Sequence, residues 1–482
     1  MKTLILFFLL AIFSEVINAQ VIVIKTEFYG GLFSDIPTST IKLRDNNYLI
    51  AGYTYTQNEF NSDILIIKID EYGNIIWDKT FGTLGFDCCN AVVEDENGNL
   101  FLSGYSNFNG SKDIFLIKTD NYGNVIWEKY FEEEGIQNST GLCIVQNKIY
   151  LNGYTNNITA GDYDLYLTCL DFSGNILWQK KIGGSGSELS ANIIGQNDYI
   201  ISAGSTGSFN AVNRDMLAIK LDLQGNIVWQ KNFNRNNFDS AGKITTTKDG
   251  GYAFIGSSDK HGSDFMDMSL FRMNYNGVKK WAVYKEAYNN YDYGTDILEL
   301  ENGSFLAVGN SKKDNYNNDI LIVYIDSLGT TKWNYIIDMG KNEWVNNIIR
   351  INENKFMLIG YTNSKDNYID DIFITYFETN TTNVNGESYL PKDYLYNNYP
   401  NPFNPSTTIN YSIAEASEVK LRIFDVTGQI VKELVNEYKN SGFYSVFWEG
   451  KNDRGDFVAS GVYYCLLTAG NRSFINKLAL IK

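Results

Sequence analysis

Between Asp113 and Phe131 the chain reads DIFLIKTDNYGNVIWEKYF: apolar and polar positions alternate, a Tyr-Gly-Asn step interrupts, and a second alternating run opens around a tryptophan. Alternation with a period of two marks a strand with one buried face, and a Gly-Asn step between two such runs is a hairpin signal. The aspartate that begins this hairpin returns at Asp63, Asp113, Asp164, Asp215, Asp267, Asp319 and Asp371, in steps of 50, 51, 51, 52, 52 and 52 residues. So constant a period predicts a repeat architecture. Each period holds four short strands, best seen as NAVVED, LFLSGY, DIFLIKTD and NVIWEKYF between Asn90 and Phe131. They are designated A, B, C and D.

The B strand is marked by Gly52, Gly104, Gly153, Gly204, Gly256, Gly309 and Gly360, seven times; the D strand by Trp77, Trp127, Trp178, Trp229, Trp281 and Trp333, only six. The missing seventh D strand is supplied at the other end of the chain. VIVIKTEFYG, after Gln20, has the D pattern without its tryptophan, while DIFITYFE (Asp371 to Glu378) is a C strand with no D strand behind it. The expected fold is therefore all-β: a seven-bladed β-propeller over residues 20–378, whose N-terminal strand closes the last blade. Radial closure removes the exposed edges that a linear stack of sheets would carry.

Residues present in every period serve architecture, since a blade interface is needed in each period and a binding site only once. The tryptophans are thus expected to wedge between blades, and the C-strand aspartates to cap turn amides. Function is expected where the periods differ. The A-to-B and C-to-D turns are tight and leave no room for chemistry, whereas the B-to-C and D-to-A loops, at the opposite end, are long and irregular. The B-to-C loops carry Phe60, Phe108, Tyr163, Phe209, Phe265, Tyr316 and Tyr368 among Asn, Asp and Ser. Aromatic faces beside amides and carboxylates either stack on sugar rings or peptide groups, or tuck into the loop bases.

Composition narrows the classes. With 40 Lys and Arg against 56 Asp and Glu, the net charge is −16, which argues against nucleic acid and against anionic membrane surfaces as partners. Five cysteines without metal-ligand spacing and a single histidine, His261, leave little for a zinc site or a histidine-based triad, so neither metal nor cofactor nor catalytic residue is expected. Lys2, the apolar run from Leu4 to Phe13, and Ile17-Asn18-Ala19 read as a signal peptide over residues 1–19. No later run is long and apolar enough for a transmembrane helix.

The period ends at Glu378, and residues 379–389 read as a polar linker. Beyond it, strand-like runs separated by turn signals predict a small immunoglobulin-like β-sandwich over 390–482. NNYPNPFNPSTTINYSI, KLRIFDVTGQIVKEL, WEGKNDRGDFVASGVYYCLL and the terminal KLALIK resemble, in order, the type A C-terminal sorting domain of type IX secretion. That resemblance implies the type IX machinery as a partner and passage across the outer membrane of a Gram-negative cell. The destination would be the medium or the cell surface, where a glycan or protein ligand is expected. The D-x-x-G-N-x-x-W pattern at Asp70 to Trp77 also resembles the tryptophan-docking repeat of quinoprotein dehydrogenases, although it is one residue shorter. Cys88-Cys89 is similar to the vicinal disulfide of some of those enzymes. A quinoprotein or a polysaccharide-degrading enzyme is therefore the rival reading to a binding module.

Overall fold

The structure is a computed structural model. It describes residues 21–481 apart from 57–60, 109, 133–134, 157–162, 212, 236–237, 260–264, 288–290, 313–316, 340–341, 367–368, 380–393, 396–397, 399–400, 414–415 and 440–441. The predicted signal peptide, most of the linker, and His261 lie outside the described residues. Among the described residues the chain is all β, with no helix, and forms two compact units, Val23–Glu378 and Thr379–Lys482.

The first unit is built from four-stranded antiparallel sheets. Among the described residues there are seven. Six are consecutive meanders of A, B, C and D strands, beginning with Asp35–Lys42, Tyr48–Tyr55, Ser62–Ile69 and Ile75–Phe81. The remaining sheet joins the A, B and C strands Glu343–Arg350, Lys355–Asp366 and Ile369–Thr379 to the N-terminal strand Val21–Tyr29, which lies beside Ile369–Thr379. The A strand of each sheet packs beside the A strand of the next, and Glu343–Arg350 packs beside Asp35–Lys42. Apolar side chains such as Leu65, Ile67, Met357, Ile359 and Tyr376 fill the space between neighbouring sheets.

The repeated glycine has a steric cause. In every A strand the register slips by one residue, for example between Pro37 and Ser39, Cys89 and Ala91, and Val345 and Asn347. Such a bulge brings the A-strand backbone against the B strand. A Cβ on Gly52, Gly104 or Gly360 would run into the carbonyl oxygen of Ile36, Cys88 or Trp344, and the other four repeat glycines face the same obstruction.

Five of the six repeat tryptophans tie their sheet to the next, while Trp333 stacks on Tyr324 of its own sheet. Trp77, Trp127, Trp178, Trp229 and Trp281 lie against Gly123, Gly174, Gly225, Gly277 and Gly329, the positive-φ glycines of the following C-to-D turn. The indole N–H of Trp178 donates to Leu223 O at 3.1 Å and that of Trp281 to Ser327 O at 3.2 Å. The N-terminal strand makes the equivalent link with other groups. Lys25 Nζ donates to Tyr72 O and the Tyr29 hydroxyl donates to Gly73 O, while within its own sheet Thr26 Oγ1 meets Thr375 Oγ1 at 2.9 Å.

The expectation for the C-strand aspartates needs correction. The turn caps are the aspartates at the other end of that strand. Asp70 Oδ1 accepts from the amides of Tyr72 and Asn74, both at 2.8 Å, and Asp120, Asp171 and Asp222 repeat the arrangement. By contrast Asp113, Asp215 and Asp267 are buried and accept from the side chains of Ser111, Asn234 and Arg235. A carboxylate at the strand exit can reach amides two and four residues on, and one at the strand start faces the neighbouring sheet instead.

The second unit has a three-stranded sheet, Tyr394–Leu395, Thr407–Ile413 and Gly442–Trp448, and a four-stranded one formed by Ser417–Phe424, Ile430–Lys439, Gly461–Ala469 and Arg472–Leu480. Its own core holds Phe403, Ile409, Tyr411, Val419, Leu421, Trp448, Cys465 and Leu478. Trp448 is fully buried, with its N–H on Lys451 O at 2.9 Å.

Candidate ligand-binding site

The bulge that demands each repeat glycine also fixes the residue after it. That position holds Tyr53, Tyr105, Tyr154 and Tyr361 in four sheets, but Ser205, Ser257 and Asn310 in the other three. The four tyrosine sheets are consecutive by packing, running from the Glu343–Arg350 sheet through the first to the third. The tyrosines therefore gather along one side of the unit, at the end of the strands where the long loops begin.

Further aromatics extend this crescent. Phe86, just before its A strand, is stacked on Tyr105 (centroids 5.9 Å apart, planes 10°), and lies 5.4 Å from Tyr53 and 6.0 Å from Tyr55. It therefore bridges two sheets. Trp344 stacks on Tyr361 at 6.3 Å, and Tyr163 meets Tyr154 edge-on at 5.3 Å. All these rings are half-buried, so each offers part of a face to solvent. Polar groups are interleaved: Asn138 Nδ2 donates to the Tyr154 hydroxyl at 2.9 Å, Asn90 Nδ2 donates to Asn138 Oδ1 at 2.9 Å, and Lys112 Nζ lies 4.2 Å over the Tyr105 ring.

Burial, followed by the proximity of other ionisable groups, raises the phenol pKa values of Tyr53, Tyr105 and Tyr361, that of Tyr361 to about 12. At neutral pH these hydroxyls are uncharged donors and acceptors. Partly exposed rings with neutral hydroxyls and amides can stack on a sugar or peptide plane and hydrogen-bond its edge.

The loop aromatics are dispersed relative to this crescent. Tyr163 belongs to it. Phe265, 40% exposed, meets Tyr291 edge-on at 5.7 Å, and Tyr291 stacks on Tyr293, forming a separate patch. Phe108 is 56% exposed, and Phe209 sits half-buried on a left-handed backbone with φ of 53°. Phe60, Tyr316 and Tyr368 lie outside the described residues. Sequence reasoning passed over Tyr53, Tyr105, Tyr154 and Tyr361 because they adjoin an invariant glycine within a strand. The signal that could have found them is the change from Tyr to Ser or Asn at one register position.

Cys88 and Cys89 are buried free thiols that follow one another along the A strand Asp87–Glu94. Cys88 Sγ contacts Asn90 Oδ1 at 3.2 Å, and Cys89 Sγ contacts Ala91 O at 3.5 Å. Consecutive strand residues point to opposite faces, which keeps the two sulfurs apart.

Carboxylates collect at the sheet junctions. Gly82 adjoins both Asp63 and Asp87, and Gly183 adjoins both Asp164 and Glu188. Asp319, Asp338 and Glu343 come within 4.8 Å of one another, a spacing that could hold a cation, although acidic groups often gather without one. Asp292 is fully buried, and burial, with smaller effects from Asp267 and Glu286, pushes its pKa up to about 6; Asp35, Asp63 and Asp113 are also raised. A carboxyl raised in the fold favours folding when protonated. That contribution is complete below the ordinary value of about 4 and is lost as pH rises through about 6. The turn-capping Asp70, Asp120, Asp171 and Asp222 are lowered and act in the opposite sense below about pH 4. Stability should therefore peak near pH 4, fall by on the order of 1–3 kcal/mol as pH rises to about 6, and change little above that. Melting temperatures of the parent and of Asp292→Asn across pH 4–8 test this, with the variant expected to decline less. A flat parent profile would refute the assignment.

Residues 405–473 match the FlgD Ig-like domain. No curated protein matches the sequence. Among solved structures, the chain is similar to PorZ of Porphyromonas gingivalis, described as an essential bacterial surface component of the type-IX secretion system. The identity is 13%, with 90% of this chain and 58% of that one covered and a TM-score of 0.40. Puromycin hydrolase matches with 8% identity over 80% of this chain and 61% of that one, with a TM-score of 0.45. The acylaminoacyl peptidase of Pyrococcus horikoshii matches with 10% identity over 81% and 59%, with a TM-score of 0.41. The chain spans less than two thirds of the length of each. At these scores none of the three bears on function.

Proposed function

We propose that Val23–Glu378, together with the start of the N-terminal strand, is a closed seven-bladed β-propeller that serves as an exported binding module. Its ligand, a surface glycan or a protein, is held at the long-loop end of the aromatic crescent. The C-terminal unit is the export address, read by the type IX secretion machinery of a Gram-negative cell, and residues 1–19 are the signal peptide that precedes it. Closure is supported by the N-terminal strand beside Ile369–Thr379 and by the packing of the last A strand on the first. The export assignment is supported by the tail motifs and the FlgD Ig-like match. The crescent carries the binding reading: Trp344, Tyr361, Tyr53, Phe86, Tyr105 and Tyr154 are partly exposed rings gathered along one side of the unit, and burial keeps the hydroxyls of Tyr361, Tyr53 and Tyr105 uncharged.

A glycan array probed with the mature protein tests the reading, followed by titration of the best hit. Replacing Tyr53, Tyr105 and Tyr154 together by alanine should weaken that hit about 10- to 100-fold, as loss of stacking rings does, and leave the fold intact. Alanine at Phe108 and Phe209 is the contrasting variant. If it abolishes binding while the tyrosine variant binds normally, the site lies on the loops and the crescent reading is wrong.

A further inference from the structure

The short-turn end of the A strands was expected to leave no room for chemistry, yet it holds a cavity of about 540 Å³. This is within the range of small-molecule sites. Its walls come from the ends of the first five A strands, where the partly exposed Ile41, Val93, Ile144 and Ile194 alternate with polar residues such as Thr245 and Thr246. At those positions the strands alternate into the space between neighbouring A strands, so that branched aliphatic side chains line it.

Two cations stand beside this aliphatic wall. Lys42 and Arg44 both line the cavity and are exposed. Among the described residues neither has a carboxylate within 4 Å, whereas Lys68 nearby in sequence is paired with Asp45 at 2.7 Å and Arg350 with Glu301 at 2.7 Å. The one lining carboxylate, Glu94, accepts from the backbone amide of Arg44 at 2.8 Å. In a chain of net charge −16, two exposed cations without a carboxylate partner on their side chains, Lys42 standing 5.9 Å from the centre of the Tyr48 ring, mark a place where an added anion can sit beside the single carboxylate of Glu94.

We propose that this cavity binds an amphipathic anion, a carboxylate or phosphate carrying an unbranched aliphatic tail. The headgroup lies between Lys42 and Arg44, and the tail lies along Ile41, Val93, Ile144 and Ile194. The cations select the charged end, and contact with the aliphatic residues adds to the affinity. The site is at the opposite end of the strands from the aromatic crescent and does not rest on the reading of that crescent.

Calorimetric titration of the full mature chain tests it with four probes: decanoate, decyl phosphate, acetate and decanol. Decanoate and decyl phosphate should bind, the tighter of the two identifying the headgroup, while acetate and decanol should each bind at least tenfold more weakly. Lys42→Ala with Arg44→Ala should weaken decanoate at least tenfold and leave the melting temperature unchanged, since both side chains are exposed. Ile144→Asn should weaken decanoate and decanol alike. The proposal is overturned if decanol binds as well as decanoate, if the double variant binds decanoate normally, or if neither charged probe binds below millimolar concentration.

Discussion

A chain lacking residues 20–30 is expected to aggregate on expression, or to melt far below the parent and without one sharp transition. The N-terminal strand contributes to two sheets at once. It covers the hydrogen-bonding edge of Ile369–Thr379, and it reaches the first sheet through Lys25 to Tyr72 O and Tyr29 to Gly73 O. Ile24 and Tyr29 also pack on the buried cluster of Tyr48, Leu65, Met357 and Tyr376, where two sheets meet. Removing the strand would open a long apolar edge, the template on which other chains pair. It would also uncover a core cluster, at a total of several kcal/mol, comparable to the net stability of a whole domain. Thermal unfolding and size-exclusion profiles of the truncated and parent chains make the comparison. A truncated chain that melts with the parent and stays monomeric would show that the edge of Ile369–Thr379 needs no cover, and the closed-ring reading would fail. Lys25→Ala with Tyr29→Phe should give a milder loss, because the strand keeps its backbone pairing.

The strand pattern was legible because each period repeats three signals with separate physical causes: two-residue alternation, a glycine forced by the A-strand bulge, and a tryptophan resting on the next turn. The substitute D strand was also legible, since VIVIKTEFYG places an apolar run before Lys25, where the other D strands carry tryptophan, and ends on an aromatic followed by glycine as IIWDKTFG does. What sequence alone could not supply was geometry across sheets. Residues about one period apart, such as Asn90 and Asn138, become neighbours only when the sheets pack. The same packing turns scattered tyrosines into a crescent, while Phe265 pairs with Tyr291 in another patch. The role given to Asp63 and its equivalents failed for a related reason. An aspartate at a strand start reads as a local cap, yet Asp113, Asp215 and Asp267 are buried where sheets meet. The space at the short-turn end was invisible because it belongs to five A strands together, and no single tight turn announces it.

Stopping the chain after Ser388 should separate folding from export. The first unit has its own sheets and core clusters, and Thr379–Lys482 has another core around Trp448, Leu421 and Leu478, so each buries its apolar faces for itself. A unit with its own core and short internal loops folds without its neighbour. Made in a host without type IX secretion, the truncated chain is therefore expected to fold, to show the melting transition of the first unit, and to bind whatever the intact protein binds. In its own host it should accumulate in the periplasm, because the tail that resembles the sorting domain is gone. Placing residues 390–482 behind a periplasmic reporter should carry that reporter to the surface or the medium. Fractionation of both strains, read by immunoblot, gives the answer. If the truncated chain reaches the medium as the parent does, the tail is an ordinary immunoglobulin-like accessory domain. If the truncated chain does not fold in the foreign host, the two units depend on each other and the boundary near Ser388 is wrong. If it folds there, is retained at home, and the reporter moves outward, the last hundred or so residues act as an address and the sheets before them as the cargo.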